Sequence, residues 1–257
     1  MMAGTDSTRP STLGGPSIIL IDPQLDENIG TVARAMLNCG LNDLRLVRPR
    51  ENWLNDKTRA SSCGADIVLD QARICATTQD AIHDLNHVYA TTARGRDMVR
   101  WVFTPREAAL EIRDYVHIEE KSGILFGPER AGLQNEDISL CDKLIRVPLN
   151  PAFCSLNLAQ AVLLIGYEYY QASDQTEGKR LVRAGHKKAE KNLLLNYFQR
   201  LEFALDDAGF FKVEEKKELM LQKIRAVFER TELMEFEVHL LHGILTALTV
   251  APHKPKC

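Results

Sequence analysis

Three short segments of this 257-residue chain concentrate its chemically capable side chains. The first, Asn28-Ile-Gly30-Thr-Val-Ala-Arg34, sets an amide and a guanidinium on either side of a glycine. The second, Gly127-Pro-Glu129-Arg130-Ala-Gly132-Leu133, places a carboxylate between two glycines. The third, Pro148-Leu-Asn150-Pro-Ala-Phe-Cys154-Ser155-Leu156-Asn157, combines prolines, two amides, a thiol and a hydroxyl. Each follows an apolar run that reads as a buried strand: 17–22, 123–126 and 143–147. Polar, glycine-rich turns at the carboxyl ends of parallel strands are where open α/β sheets bind ligands. Each segment alone also has a structural reading. Gly127-Pro and Asn150-Pro are common turns, Ser155 is a good helix N-cap, and Arg34 can pair with Glu129. Three such turns on one framework point to a ligand site.

Several chemistries are excluded. No GxGxxG opens a helix, no GxxxxGK precedes Ser or Thr, and no GxSxG is present. The usual dinucleotide fold, a Walker-type NTPase and a serine nucleophile elbow are therefore not expected. The six cysteines (39, 63, 75, 141, 154 and 257) form no CxxC pair and read as free thiols in a reducing, cytoplasmic setting. His239 and His242 share a helical face but have no acidic or thiol partner at motif spacing, so no metal is expected. No apolar run approaches the roughly 18–20 residues needed to span a bilayer.

The elements that must hold these turns are legible as a pattern. The run 17–22, a helical stripe over 28–38 ended by Gly40, and a strand over 43–48 make a βαβ unit, the mark of a parallel sheet. A helix near 76–85, a strand at 87–92 and a helix over 104–116 follow, the last with Thr104 as N-cap, Pro105 at the first position and Glu107 completing a capping box. Residues 155–172 read as a long helix, apolar on most sides and expected to be largely buried. Residues 1–16, rich in Ser, Thr, Gly and Pro, read as a disordered tail, and 17–172 as one α/β domain. A polar linker over 173–191 leads to three amphipathic stretches over 192–251, a small helical domain in which Gly209 ends the first helix and Thr231 is the expected N-cap of the third.

Hydrophobic residues make up 45% and charged residues 26%, ordinary for a soluble globular protein. The net charge of −3 argues mildly against a nucleic-acid partner, but it is unevenly spread: residues 1–170 carry −5 and residues 171–257 carry +2. Lys179, Arg180, Arg183, Lys187, Lys188 and Lys191 face one acid, Glu190, over 13 residues. This run is either a solvated linker or a strap that tracks phosphates. Arg94, Arg96 and Arg100 beside Trp101 form a second basic, aromatic cluster.

The three turns also carry a family resemblance. Asn28, Gly30 and Arg34 match Asn-x-Gly-x-x-x-Arg; Phe126, Gly127, Glu129, Gly132 and Leu133 match Phe-Gly-x-Glu-x-x-Gly-Leu; Val147–Asn157 is similar to Ile-Pro-x-Asn-Pro-x-x-x-Ser-Leu-Asn. In this order and spacing they resemble the SPOUT-superfamily (SpoU-type) RNA ribose 2′-O-methyltransferases. Ala90–Arg94, Gly209-Phe-Phe, Leu233 and His242–Leu245 are similar to the branch acting on cytidine or uridine in tRNA. Val147 replaces the commoner isoleucine, and Cys154 stands where Ser is frequent.

The resemblance implies a parallel-sheet SPOUT fold whose segment 126–172 is tied in a deep trefoil knot, with a small C-terminal all-helical domain that binds tRNA and supports the dimer. It implies S-adenosyl-L-methionine as cofactor, held by Thr91, Thr92, Ala93, Gly127, Val147, Cys154, Ser155 and Leu156. Arg34 is its central catalytic residue, with Asn28, Glu129, Ser155 and Asn157 around it. Arg94, Arg96, Arg180, Arg183, Lys187 and Lys188 are the expected RNA contacts of a homodimer. The implied substrate is the first nucleotide of the anticodon loop. Ribosomal RNA, another tRNA position, or a catalytically silent RNA-binding homologue are the alternatives.

Overall fold

The computed structural model describes residues 13–92, 99–179, 183 and 185–250. The chain divides into two compact units, Met1–Thr176 and Glu177–Cys257. In the first, β1 (Ser17–Ile21), β2 (Leu44–Val47), β3 (Arg73–Cys75), β4 (His87–Thr91), β5 (Val102–Phe103), β6 (Ser122–Phe126) and β7 (Lys143–Ile145) form one sheet in the order β3-β2-β1-β6-β4-β7-β5. Every pairing is parallel. β1 and β6 are buried along their whole length, which is why they read as unbroken apolar runs rather than alternating ones.

Alternation instead sorts side chains between two cores. Ile18 and Leu20 join Val32 and Met36 of α1 (Asp26–Asn38), Ile112 of α5 (Pro105–His117) and Val162 of α7 (Leu158–Gln171). Ile19 and Ile21 point the other way, to Ala81 of α4 (Thr78–Ile82) and Ile138 of α6 (Asn135–Ser139). Two short helices, α2 (Asp56–Ser62) and α3 (Asp66–Asp70), connect β2 to β3. Arg45 on β2 is 2% exposed and survives burial by pairing with Asp43 at 2.9 Å and Asp84 at 2.5 Å.

The strand order creates a switch point. β1 leads away through α1 to β2, and its other neighbour β6 leads in the opposite direction to β7. The two strands end nearly in step, with Leu20 opposite Phe126, so the turns after them emerge side by side.

Several elements differ from the sequence reading. α4 is shorter than 76–85, cut to one turn and capped by a Thr77–Asp80 capping box. Thr104 caps α5 as expected, accepting from Glu107 N–H at 3.3 Å, but the Glu107 carboxylate does not return a bond to complete the expected capping box. Residues 14–16 lie against the domain, with Gly14 N–H donating to Gly40 O at 2.9 Å. α7 starts at Leu158, capped by Asn157 rather than Ser155, because the Asn157 carboxamide oxygen accepts from Ala159 N–H at 2.9 Å. It is also not buried all round. Leu158, Val162, Ile165, Gly166 and Tyr169 face the core, while Leu163, Leu164, Tyr167 and Tyr170 form an exposed apolar stripe.

The second unit contains α8 (Lys191–Asp207), a single 3₁₀ turn at Glu214–Lys216, α9 (Lys217–Glu229) and α10 (Glu235–Val250). Leu194, Tyr197, Phe198, Val238 and Leu245 are its buried core. Gly209, at φ +69°, ends α8 in a conformation that favours glycine. Thr231 does not cap α10: its hydroxyl donates to Phe228 O at 2.6 Å, closing α9 instead. The end of the basic segment is part of this unit, since Ala189 N–H donates to Leu233 O at 2.9 Å and Glu235 N–H to Lys187 O at 3.0 Å.

Candidate active site at the carboxyl edge of the sheet

The turns after β1, β6 and β7 meet through a chain of side-chain hydrogen bonds. Glu129, in the β6 turn, accepts from Asn28 Nδ2 at 2.6 Å and from the backbone N–H of Gln24 at 3.1 Å. Asn28 Oδ1 accepts in turn from Asn157 Nδ2 at 3.0 Å. Asn157 therefore caps α7 with its oxygen and tethers α1 with its nitrogen. The order of donors is forced from one end, because an ionised carboxylate only accepts, and each amide must then present its oxygen to the next donor.

Beside this chain lies a cavity of about 760 Å³, within the range of small-molecule sites. Its walls are the loop 127–133, residues 145–149 and 151, and residues 154–156; Phe126, Ile145, Leu158, Ala161 and Ile165 contribute apolar surface. Gly127 is required by close approach: a Cβ there would sit 2.2 Å from Leu133 N and 2.4 Å from Gly132 C. Gly132, at φ +68°, completes the turn. Apolar walls edged by backbone amides, Thr91 and Ser155 suit a ligand that is part heteroaromatic and part polar.

Most of the expected residues fall within the described structure. Thr91, Thr92, Gly127, Val147, Cys154, Ser155 and Leu156 line the cavity, as does Glu129. Thr91 is fixed by donating its hydroxyl to Leu125 O at 2.9 Å. Asn28 and Asn157 join the site through Glu129 rather than by lining the cavity. Arg34 is exposed on α1, roughly 9 Å of helix rise from Asn28, and among the described residues it makes no ion pair or hydrogen bond. The alternative pairing of Arg34 with Glu129 does not form; Asn28 and Gln24 occupy that carboxylate. Ala93, Arg94, Arg96 and Arg180 lie outside the described residues.

The basic segments are only partly open to a ligand. Arg100 donates to Cys141 O and, at 3.2 Å, to Ser139 O, closing the end of α6. Lys188 pairs with Glu232 at 3.2 Å and Lys191 with Glu229 at 3.2 Å, both on the surface. Arg183 and Lys187 are exposed. His242 faces Arg200 at 2.9 Å, and burial followed by that guanidinium and His239 lowers its basicity. Buried Cys141 is pushed up to about 12 by desolvation, so its thiol is inert. Sequence reading missed Arg130, Arg146 and the β5 residues Val102 and Phe103, all lining the cavity. Arg130 and Arg146 were visible beside the motifs; β5 is two residues long and leaves no periodic signal.

An all-parallel sheet with a cavity and the Asn28–Glu129–Asn157 junction at one switch point defines a class, and similarity to known proteins agrees with it. Residues 16–167 match the SpoU rRNA Methylase family, and the chain belongs to that family. Residues 193–256 match a narrower description, the C-terminal domain of tRNA methyltransferase TrmJ. The chain is 33% identical to the tRNA (cytidine/uridine/adenosine-2′-O-)-methyltransferase TrmJ of Pseudomonas aeruginosa, covering 89% of this chain and 91% of that one. It is 35% identical to the tRNA (cytidine-2′-O-)-methyltransferase TrmJ of Methanocaldococcus jannaschii, covering 79% and 86%. The crystal structure of TrmJ from Z. mobilis ZM4 superposes with a TM-score of 0.80 at 42% identity, covering 92% of this chain and all of that one.

Proposed function

We propose that this protein is an S-adenosyl-L-methionine-dependent tRNA ribose 2′-O-methyltransferase acting on cytidine or uridine at the first nucleotide of the anticodon loop. The observation that carries the reading is the junction of Glu129, Asn28 and Asn157 at the edge of a cavity lined by Gly127, Val147 and Ser155. The tRNA methyltransferase names of its relatives and the match of its helical unit favour tRNA over ribosomal RNA. Those relatives differ in the bases their names include, so the pyrimidine preference is part of the proposal. The retained Asn28, Arg34, Glu129 and Asn157 argue against a silent homologue.

The cavity's walls fit the cofactor: the glycine turn 127–133 and the backbone of 147–156 would hold it, with Thr91, Thr92, Cys154, Ser155 and Leu156 at its sides. Bound there, it supplies an electrophilic methyl group on a sulfonium. The chain's own task is to orient the ribose and ease loss of the hydroxyl proton. In this reading the second N–H of Asn28 and of Asn157 orients the ribose, and Glu129 fixes the direction of the pair. Arg34 is a poor base, as guanidiniums are at neutral pH; its uncommitted charge grips the target phosphate and lowers the pKa of the adjacent hydroxyl.

In this reading the protein works as a cytoplasmic homodimer, and the exposed stripe of Leu163, Leu164, Tyr167 and Tyr170 supplies part of the subunit contact. β7 fills the sheet position between β4 and β5, which were joined earlier in the chain, and α7 then packs against α1 and α5; this path is what a knot over 126–172 requires. Residues 173–191 link the methyltransferase domain to a helical tRNA-binding, dimer-supporting domain over 192–251. In this reading Arg94, Arg96, Arg180, Arg183, Lys187 and Lys188 are the RNA contacts. Incubating the protein with labelled cofactor and, separately, total tRNA and ribosomal RNA tests the substrate class. Label in tRNA is expected; label confined to ribosomal RNA overturns it.

A further inference from the structure

The mouth of the cavity carries groups that the proposed chemistry leaves unused. Arg130 follows β6 and Arg146 follows β7; both are exposed, both line the cavity, and among the described residues neither side chain has an acidic or hydrogen-bonding partner. Most arginines described in this unit are committed. Arg45, Arg48, Arg59, Arg73 and Arg106 pair with carboxylates, and Arg113 donates to Tyr169 O. Two uncommitted guanidiniums beside one cavity are thus a local departure from the domain's own pattern. The strands that deliver them are separated only by β4, about 10 Å apart in the sheet.

Phe153 adds a different capability. It is 77% exposed, although Pro151, Cys154 and Ser155 on either side of it line the cavity. Its backbone is held in a turn: Asn150 Oδ1 accepts from Ala152 N–H at 3.0 Å, and Phe153 N–H donates to Asn150 O at 2.9 Å. The turn presents an aromatic face to solvent at the rim. Single-stranded RNA loops are bound through stacking of unpaired bases on aromatic rings and through phosphate contacts.

We propose that Arg130, Arg146 and Phe153 form a subsite for the nucleotides flanking the methylated ribose, the arginines holding neighbouring phosphates and Phe153 stacking on an adjacent base. These are positioning residues, and the inference rests on the proposed tRNA methylation.

The test uses the full chain, an unmodified tRNA transcript and S-adenosyl-L-methionine. Arg130→Ala and Arg146→Ala are each expected to weaken tRNA binding about 3–10-fold and to reduce the slope of log affinity against log salt by about 0.7–0.9. Phe153→Ala is expected to raise KM for tRNA about fivefold or more, with kcat at saturating tRNA retained and the salt slope unchanged. Phe153→Trp restores binding and Phe153→Leu does not. Cofactor affinity, measured by equilibrium dialysis without RNA, stays at the wild-type value throughout. An unchanged salt slope in both arginine variants, a parallel loss of cofactor affinity, or a Phe153→Leu variant equal to wild type overturns the subsite. Wild-type protein that neither binds nor methylates tRNA instead overturns the reading on which it rests.

Discussion

Asn157 makes the most exacting demand, because one side chain serves both the helix and the site. Its oxygen caps α7 at 2.9 Å from Ala159 N, and its nitrogen donates to Asn28 Oδ1 at 3.0 Å. Asn157→Ala removes both; a lost cap at about 1 kcal/mol and a lost hydrogen bond at about 1 kcal/mol give about 2 kcal/mol of destabilisation. For a domain of this size that is a fall in Tm of about 4–8 °C. Asn157→Ser keeps a capping oxygen and loses only the tether, so about half that loss is expected. Asn157→Asp keeps the cap and places a negative charge at the N-terminus of α7, which favours the helix. It nevertheless sets acceptor against acceptor at Asn28, whose amide cannot turn round without turning its oxygen towards Glu129. Thermal unfolding should therefore rank Asp and Ser above Ala, whereas single-turnover methyl transfer should fall about 100-fold in all three, the scale of a misplaced reacting group. Cofactor affinity separates a collapsed cavity from a misdirected ribose. An Asn157→Asp enzyme with wild-type turnover would refute the directional relay, and an Asn157→Ala protein with wild-type Tm would refute the cap.

Three other outcomes are expected. Arg34→Ala should abolish methyl transfer while leaving cofactor binding, measured by dialysis, near wild type; retained turnover sinks the phosphate-grip role. Gly127→Ala must move backbone now 2.2–2.4 Å from the new Cβ, so a loss of about 1–3 kcal/mol in denaturant unfolding should accompany a loss of cofactor affinity. At the opposite edge of the sheet, burial opposes the charge on Asp84, but hydrogen bonds and attraction from Arg45 and attraction from Arg73 outweigh it and hold the carboxyl at about 2. A depressed folded value means that this stabilisation is complete above the ordinary Asp value near 4 and disappears as pH falls from there towards about 2. Asp84→Asn should lose about 2 kcal/mol at pH 7 and show a flatter acid limb in a pH series of urea melts; identical acid limbs would contradict the pairing.

How much of this was legible in the sequence depended on range. β1, β6 and α1 declared themselves through unbroken apolar runs and a 3.6-residue stripe, since their burial depends on local pattern. β3 and β5, three and two residues long, are too short for any period. Sheet order depends on partners more than a hundred residues away, as in Ser17 opposite Gly123, so the adjacency of β1 and β6 was not legible. The turns that form the site were recognisable by residue type, but residue type does not fix direction. Glu129 and Arg34 looked like partners by charge, and the fold gave Glu129 to Asn28 instead. α7 looked buried because its composition is apolar, while its helical phase turns four of those residues outward. Likewise the basic run looked uncommitted, because Glu232 and Glu229, which pair with Lys188 and Lys191, lie some forty residues further on.

The most direct measurement is to treat unmodified tRNA with the protein and methyl-labelled S-adenosyl-L-methionine, digest it to nucleosides, and map the labelled position. The expected product is 2′-O-methylcytidine or 2′-O-methyluridine at the first nucleotide of the anticodon loop, absent with Arg34→Ala. Label on a base, or on a ribose elsewhere in the tRNA, would contradict it.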